Sequence, residues 1–418
     1  MTDGWKAPAT PIRIGIVGLG NVALGFHIPA LLALPELVRV VAVADPSAER
    51  REQAAAVLGL GPDSVHADAD ALLARPDLDV IDLATPPHVR TALALKAIAT
   101  GRAVLCEKPL ATVPAEAAAI VAAGEAAGVP VGVVHNWLGF PEFVAARASI
   151  AAGEIGRPEV AILNLLGTED RPGSAAWNPN WRHDPGLAGG GVLMDMMHVV
   201  YVAEALLDQP IRRVSAQVLA RRDDAPVEDI ALCRLEADRA VALVNVGWGV
   251  GPGGITIAGP DGRLEIAYEG NGTGPFAPLE SIRLVRAGGA VTDRTPVGAG
   301  PATWGPGAAR PPIDVHLVAA LRTFATRIAA GTQLEATAAN GLRALEAALA
   351  CYASAATGRT VALPLAPDHP VHRRGIAGLA ELALADGPIA AGGIFGLGGQ
   401  TGSRTAAGPT GGRPTQED

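Results

Sequence analysis

The chain has 418 residues, a formal net charge of −9 and few aromatic residues. Its length exceeds a single ordinary core and suits two domains. An acidic balance with scattered arginines argues against nucleic acid as the main partner. The three cysteines, Cys106, Cys233 and Cys351, are odd in number and far apart, so neither a disulfide framework nor a metal knuckle follows. The opening MTDGWKAPATPIR has no apolar signal core, and no run reaches the roughly 18 apolar residues of a membrane span. The expectation is a cytoplasmic protein with no membrane partner.

In chain order, IRIGIVG (12–18) reads as a buried strand, and LGNVALGFHIPALLAL as a helix with apolar spacing near 3.6. VRVVAVADP (38–46) is a second strand, and SAERREQAAAVLG a helix ending at Gly59. DVIDLATPP (79–87) and RAVLCEKP are further strands, with VRTALALKAIATG between them. The helix VPAEAAAIVAAGEAAG and the strand VPVGVVHN (129–136) close this half. Regular alternation with short connections predicts a parallel, doubly wound α/β sheet.

The texture then changes. After a helix over 141–152 come longer, more varied strands separated by Gly, Asp and Pro turns, which suit an open mixed or antiparallel sheet. Residues 313–330 and 336–357 read as helices, and TVALP as a last short strand. The expected division is a dinucleotide-binding Rossmann domain over 1–135 and an α/β domain for substrate and oligomerisation over 136–365. A Gly/Pro-rich extension over 366–418, at least partly disordered, follows.

Gly18-Leu19-Gly20-Asn21-Val22-Ala23 stands at the first strand-to-helix junction, a G-x-G-x-x-A form of the dinucleotide fingerprint. Gly18 permits the tight turn, and Gly20 lets a pyrophosphate approach the backbone. Asn21 and Val22 open a helix whose free N–H groups favour phosphate. Asp45 ends the second strand, where a carboxylate accepts the adenosine-ribose hydroxyls and repels a 2′-phosphate. NAD is therefore expected over NADP; the bland alternative has Asp45 merely capping a helix. Thr85 and Pro86 follow the third strand and are placed beside the nicotinamide ribose. Glu107-Lys108-Pro109 puts an amine at a strand end. Lys108 there could hydrogen-bond a substrate hydroxyl with Glu107 orienting it, or the two could form an exposed salt pair.

GLGNVA, ADP, ATPP, CEKPLA, GEIGRP, WRHDP and GGGVLMD occur in this order, and over about 12–365 the chain resembles the Gfo/Idh/MocA oxidoreductases. The resemblance implies a Rossmann domain followed by a domain with a large open sheet, whose outer face often joins subunits into homo-dimers or homo-tetramers. It implies sugars, inositols and related compounds as substrates, and a Lys, here Lys108, that contacts both cofactor and substrate. Pro109 often follows a cis bond in the family. The family usually places Asp and His four apart after the glycines. Here Asp195 takes the Asp place, the Gly two residues later is Met197, the fourth place is Val199, and the His comes one residue early, at His198. Arg90 stands where many relatives carry a His.

The glycines of GGGVLMD are expected to approach the cofactor cleft. Three readings of His198 stand beside one another. It is the general base oriented by Asp195; or Asp195 or another cleft residue moves the proton with Lys108 while His198 binds substrate; or His198 packs within a helix. Tyr201, three residues on, is a minor candidate for binding. Asn136 at the domain junction and Trp181 and Arg182 ahead of the glycines are candidate substrate contacts. His183, Asp184, Asp195 and His198 lack a zinc-ligand spacing, so no metal is expected. The expected reaction is hydride transfer between nicotinamide and a carbinol carbon of a sugar, polyol or inositol. Two alternatives remain: an enzyme that keeps NAD bound and uses transient oxidation for elimination or glycosidic cleavage, and a non-catalytic sensor or scaffold.

Overall fold

The structure is a computed structural model that describes residues 5–168, 183–220, 227–249, 251–271, 277–296 and 315–382. Trp181, Arg182 and the extension beyond 382 lie outside the described residues.

The first half forms a six-stranded parallel sheet from β1 (Ile12–Val17), β2 (Val38–Ala44), β3 (Val65–His66), β4 (Val80–Leu83), β5 (Ala103–Cys106) and β6 (Val131–Val133). The order is β3-β2-β1-β4-β5-β6. Isoleucine, valine and leucine fill these strands because helices cover both faces. The order reverses between β1 and β4, and both strands end at the crevice where ligands of such sheets bind. The strands are shorter than their apolar runs. β4 stops at Leu83 because Pro87 opens the helix Pro87–Ala99, and β6 is Val131–Val133 rather than 129–136. The two-residue β3 carries too little pattern to be read from sequence.

The helix after β1 is not uniform. It opens with a π-turn over Ala23–His27 and continues as α-helix over Ile28–Leu32. The wider turn carries His27 into the sheet, where it is fully buried.

The second half holds a nine-stranded mixed sheet. Its strands are β7 (Val160–Thr168), β8 (Arg213–Leu219), β9 (Ile230–Glu236), β10 (Val241–Trp248), β11 (Gly253–Gly259), β12 (Gly262–Tyr268), β13 (Leu279–Arg286), β14 (Val291–Asp293) and β15 (Val361–Ala362), ordered β14-β13-β12-β11-β7-β10-β9-β8-β15. Only the β7–β10 pair within this sheet is parallel. Inward residues such as Ala231, Cys233, Leu235, Val244 and Val246 are buried beneath the helices His198–Leu207 and Ala338–Thr357. The other face shows Leu232, Leu243 and Val160 to solvent.

The halves do not divide as cleanly as the sequence suggests. Helix Val315–Ala330 follows the second sheet, yet its Leu317, Leu321, Ala325 and Ile328 complete the core around Ile12, Ile14, Ile16 and Val38. Gly132 in β6 makes room for it, since a Cβ there would stand 2.9 Å from the Phe324 ring. The extension also begins in order. His369 caps the helix Pro370–Arg374, and Val371, Ile376 and Leu379 are buried with the second core. No single helix among the described residues is long and apolar enough to cross a membrane.

Candidate active site

The dinucleotide fingerprint forms as a cradle. Gly18 has φ +89°, and a Cβ there would meet the Ala84 carbonyl oxygen and Thr85 Cγ2, each at 2.8 Å. Glycine at 18 is thus demanded by the protein itself. At Gly20 a Cβ would meet nothing within 4 Å among the described residues beyond its chain neighbours, so the fold itself does not demand glycine there. Asp45 is buried at the end of β2; it accepts from the backbone N–H of Leu19 at 2.7 Å and of Ser47 at 2.8 Å. Those bonds aim the carboxylate along the fingerprint loop and leave lone pairs on both oxygens. It is Ser47, not Asp45, that caps the helix Ala48–Leu58. The Thr85 hydroxyl is buried beside Gly18 with no hydrogen-bond partner among the described residues. An orphaned hydroxyl next to an open glycine cradle fits a dinucleotide, whose ribose or amide could satisfy it.

The β4 and β5 ends are tied together by Arg90. Fully buried, its guanidinium donates to the carbonyls of Thr85 and Pro109. Its singularity in sequence therefore reflects a clamp on two site-lining turns, not a group facing a ligand. The Lys108–Pro109 bond is cis. Lys108 Nζ donates to the Asp195 backbone carbonyl at 2.7 Å, so the Rossmann strand end reaches directly to the second domain. Glu107 turns both carboxylate oxygens into the protein. Oε1 lies 2.9 Å from His27 Nε2, and Oε2 accepts the Lys108 N–H at 2.9 Å. Glu107, expected among the cofactor contacts, also braces the Lys108 backbone.

The GGGVLMD segment also differs from expectation. Gly189 ends the short helix Pro185–Ala188, which Asp184 caps at Gly186 N–H. A Cβ on Gly190 would lie 2.3 Å from the Tyr352 hydroxyl, and one on Gly191 2.3 Å from the Glu228 carbonyl oxygen. Glycine at 190 and 191 is thus required by the support beneath the segment. Glu228 accepts from Gly191 N–H, Leu193 N–H and the Tyr352 hydroxyl at 2.8, 2.9 and 2.7 Å. Burial pushes its carboxyl up to about 7 against these three donors.

Asp195 and His198 do not share one helix. Val192–Asp195 ends, Met196 and Met197 form a break, and His198 opens the next helix at a 44° bend. The break resets the helical phase, so spacing of three or four says little about where the two side chains point. His198 is buried; its Nδ1 lies 2.6 Å from the Tyr201 hydroxyl, and its ring stacks on Trp137 at 4.6 Å. Tyr201 accepts the Trp137 N–H at 3.3 Å and stacks at 3.8 Å on His135. Burial pushes the Tyr201 phenol well above its ordinary range and His135 down to about 3, so Tyr201 remains a hydroxyl and His135 neutral. Asn136 opens the 3-10 turn that carries Trp137, at the junction of the domains. Sequence reasoning passed over His27, Asp82, Glu228 and Tyr352. The signal for Asp82 was present: a carboxylate in the middle of the buried run VIDLA needs a partner.

Two family models match the chain. The oxidoreductase family's NAD-binding Rossmann fold matches residues 12–135, and the GFO/IDH/MocA C-terminal domain matches 143–267. Among curated proteins, 1,5-anhydro-D-fructose reductase of Ensifer adhaerens is 32% identical over 225 residues, 52% of this chain and 63% of that one. Levoglucosan dehydrogenase of Pseudarthrobacter phenanthrenivorans is 29% identical over 253 residues, 60% of this chain and 54% of that one. The chain thus spans less than two thirds of the length of either relative. A solved levoglucosan dehydrogenase in complex with NADH shares the fold, with TM-score 0.72 and 22% identity over 85% of this chain and all of that one.

Proposed function

Because the chain belongs to the Gfo/Idh/MocA oxidoreductase family, we propose that it is an NAD(H)-dependent dehydrogenase or reductase of a sugar, polyol or related cyclic substrate. The observation that carries this reading is the bond from Lys108 Nζ to the Asp195 carbonyl, which sets an amine at the strand edge between the fingerprint cradle and the second domain. Bound NAD would supply the two-electron acceptor or donor at its nicotinamide ring. Gly18, Gly20, Asn21, Val22, Asp45, Thr85 and Pro86 hold it. Lys108 donates to the substrate oxygen and favours its alkoxide character. His198 receives the hydroxyl proton in oxidation and returns it in reduction. Asp195, one break away, binds substrate with Asn136. The sugar chemistry of the relatives' names supports this substrate class.

The test is a panel of levoglucosan, 1,5-anhydro-D-fructose, myo-inositol and D-glucose, assayed with NAD(H) and NADP(H) in both directions at 340 nm. Turnover of at least one member with preference for NAD(H) is expected, through the Asp45 carboxylate. Tight NADH binding without turnover in either direction would sink the reading in favour of a nucleotide-binding scaffold. Copurified NAD with product formation but no net absorbance change would point to transient oxidation instead.

A further inference from the structure

Beneath the Lys108 turn lies a buried set of four charged groups that the reaction does not touch. His27 Nδ1 stands 2.8 Å from Asp82 Oδ2, and Nε2 stands 2.9 Å from Glu107 Oε1. His27 and Asp82 are 0% and 1% exposed. A neutral imidazole has one N–H to give, yet two carboxylates face its two nitrogens, so the geometry calls for an imidazolium. Burial opposes that charge, but Asp82 and Glu107 outweigh it and push His27 up to about 10. Arg90, also fully buried, adds a second cation near Asp82, Glu107 and Cys106. Two carboxylates are thereby matched by two cations.

Such a network is a poor way to stabilise a core. Taking each ion out of water costs several kcal/mol, and well-packed apolar residues of similar volume often serve better. Its location suggests another use. The π-turn of the fingerprint helix delivers His27, mid-β4 supplies Asp82, and the end of β5 supplies Glu107. The second oxygen of Glu107 holds the Lys108 N–H. One chain of contacts therefore runs from the nucleotide-binding helix through the sheet to the residue bearing the amine.

We propose that His27, clamped between Asp82 and Glu107, is a positioning residue for Lys108: it fixes the carboxylate that holds the Lys108 backbone and so sets where the amine stands. Asp82 serves to hold His27 in its charged, doubly donating form. His27 has no contact with substrate and acts only through Glu107. The proposal deepens the reading of Lys108 as the catalytic amine and rests on it, but its geometry can be read without turnover.

The chain has three lysines, Lys6, Lys96 and Lys108, so reductive 13C-methylation gives three lysine resonances, and Lys108→Arg assigns one of them. In folded His27→Gln, the Lys108 resonance should shift while those of Lys6 and Lys96 stay. NADH affinity, followed by nucleotide fluorescence, should stay within about threefold, and kcat on a panel substrate should fall by about tenfold or more with KM changing less. A Lys108 resonance unchanged from wild type would overturn the proposal whatever the activity. If the single variant does not fold, His27→Gln with Asp82→Asn removes one uncompensated carboxylate and takes the same test. If neither folds, His27 is a core strut and the proposal falls. Failure of the underlying reading is a separate result: Lys108→Ala would then keep its turnover.

Discussion

Glycine serves opposite purposes on the two sides of this cleft. At Gly20, in the fingerprint, a Cβ would meet nothing of the protein, whereas at Gly191, in GGGVLMD, it would collide with the Glu228 carbonyl oxygen at 2.3 Å. One glycine stands in open space; the other lets the chain close on its own support. The contrast extends to the charged residues. Asp45 is held by the backbone N–H groups of Ser47 and of Leu19 beyond the neighbouring β1, at a strand end whose position the repeating α/β pattern fixes. Glu228, which holds the other segment, comes from a distant strand connection and meets Tyr352 from the closing helix. The first side is built from two adjacent strand ends of one repeating pattern. The second is assembled from three remote stretches.

The largest effect that would sharpen this comparison is at His198. Replacing it by Asn should lower turnover by about 10²–10⁴ and change the shape of the pH–rate profile. A profile of unchanged shape would move proton transfer elsewhere and leave His198 a packing residue against Trp137. A smaller, paired effect concerns the glycines. Gly191→Ala should cost about 1–3 kcal/mol of stability from overpacking, visible as a lower melting temperature without any ligand. Gly20→Ala should melt like the parent protein and instead bind NADH about tenfold or more weakly. If Gly20→Ala lost stability and Gly191→Ala lost only nucleotide affinity, the two sides of the cleft would have been assigned backwards.

Much of the first half was legible because its signals are local. The alternation of apolar strands and helices, the Gly18–Ala23 spacing and Asp45 at a strand end are each read from short stretches, and the parallel order of the sheet bears out the alternation. What escaped were features set by pairing across the sheet. His27 looked like one residue of an amphipathic helix, and only the π-turn explains why it points at Asp82. Helix Val315–Ala330 carries an ordinary apolar stripe, which cannot say which of two cores it will join. Arg90 was marked by its residue type, but its two backbone acceptors belong to turns that meet only when β4 and β5 pair. The Asp195–His198 spacing says less than it would on one helix: such spacing has meaning only while the helix is unbroken, and here Met196 and Met197 break it.

Lys108 is where the two sides meet, since its backbone is held by Glu107 in one domain and its amine by the Asp195 carbonyl in the other. The most direct measurement is therefore steady-state turnover of Lys108→Ala on a panel substrate, alongside its NADH dissociation constant. Turnover should fall by about 10²-fold or more, while NADH affinity changes by no more than about threefold. Turnover close to that of the unmodified enzyme would contradict the assignment of Lys108 as the amine that acts on the substrate oxygen.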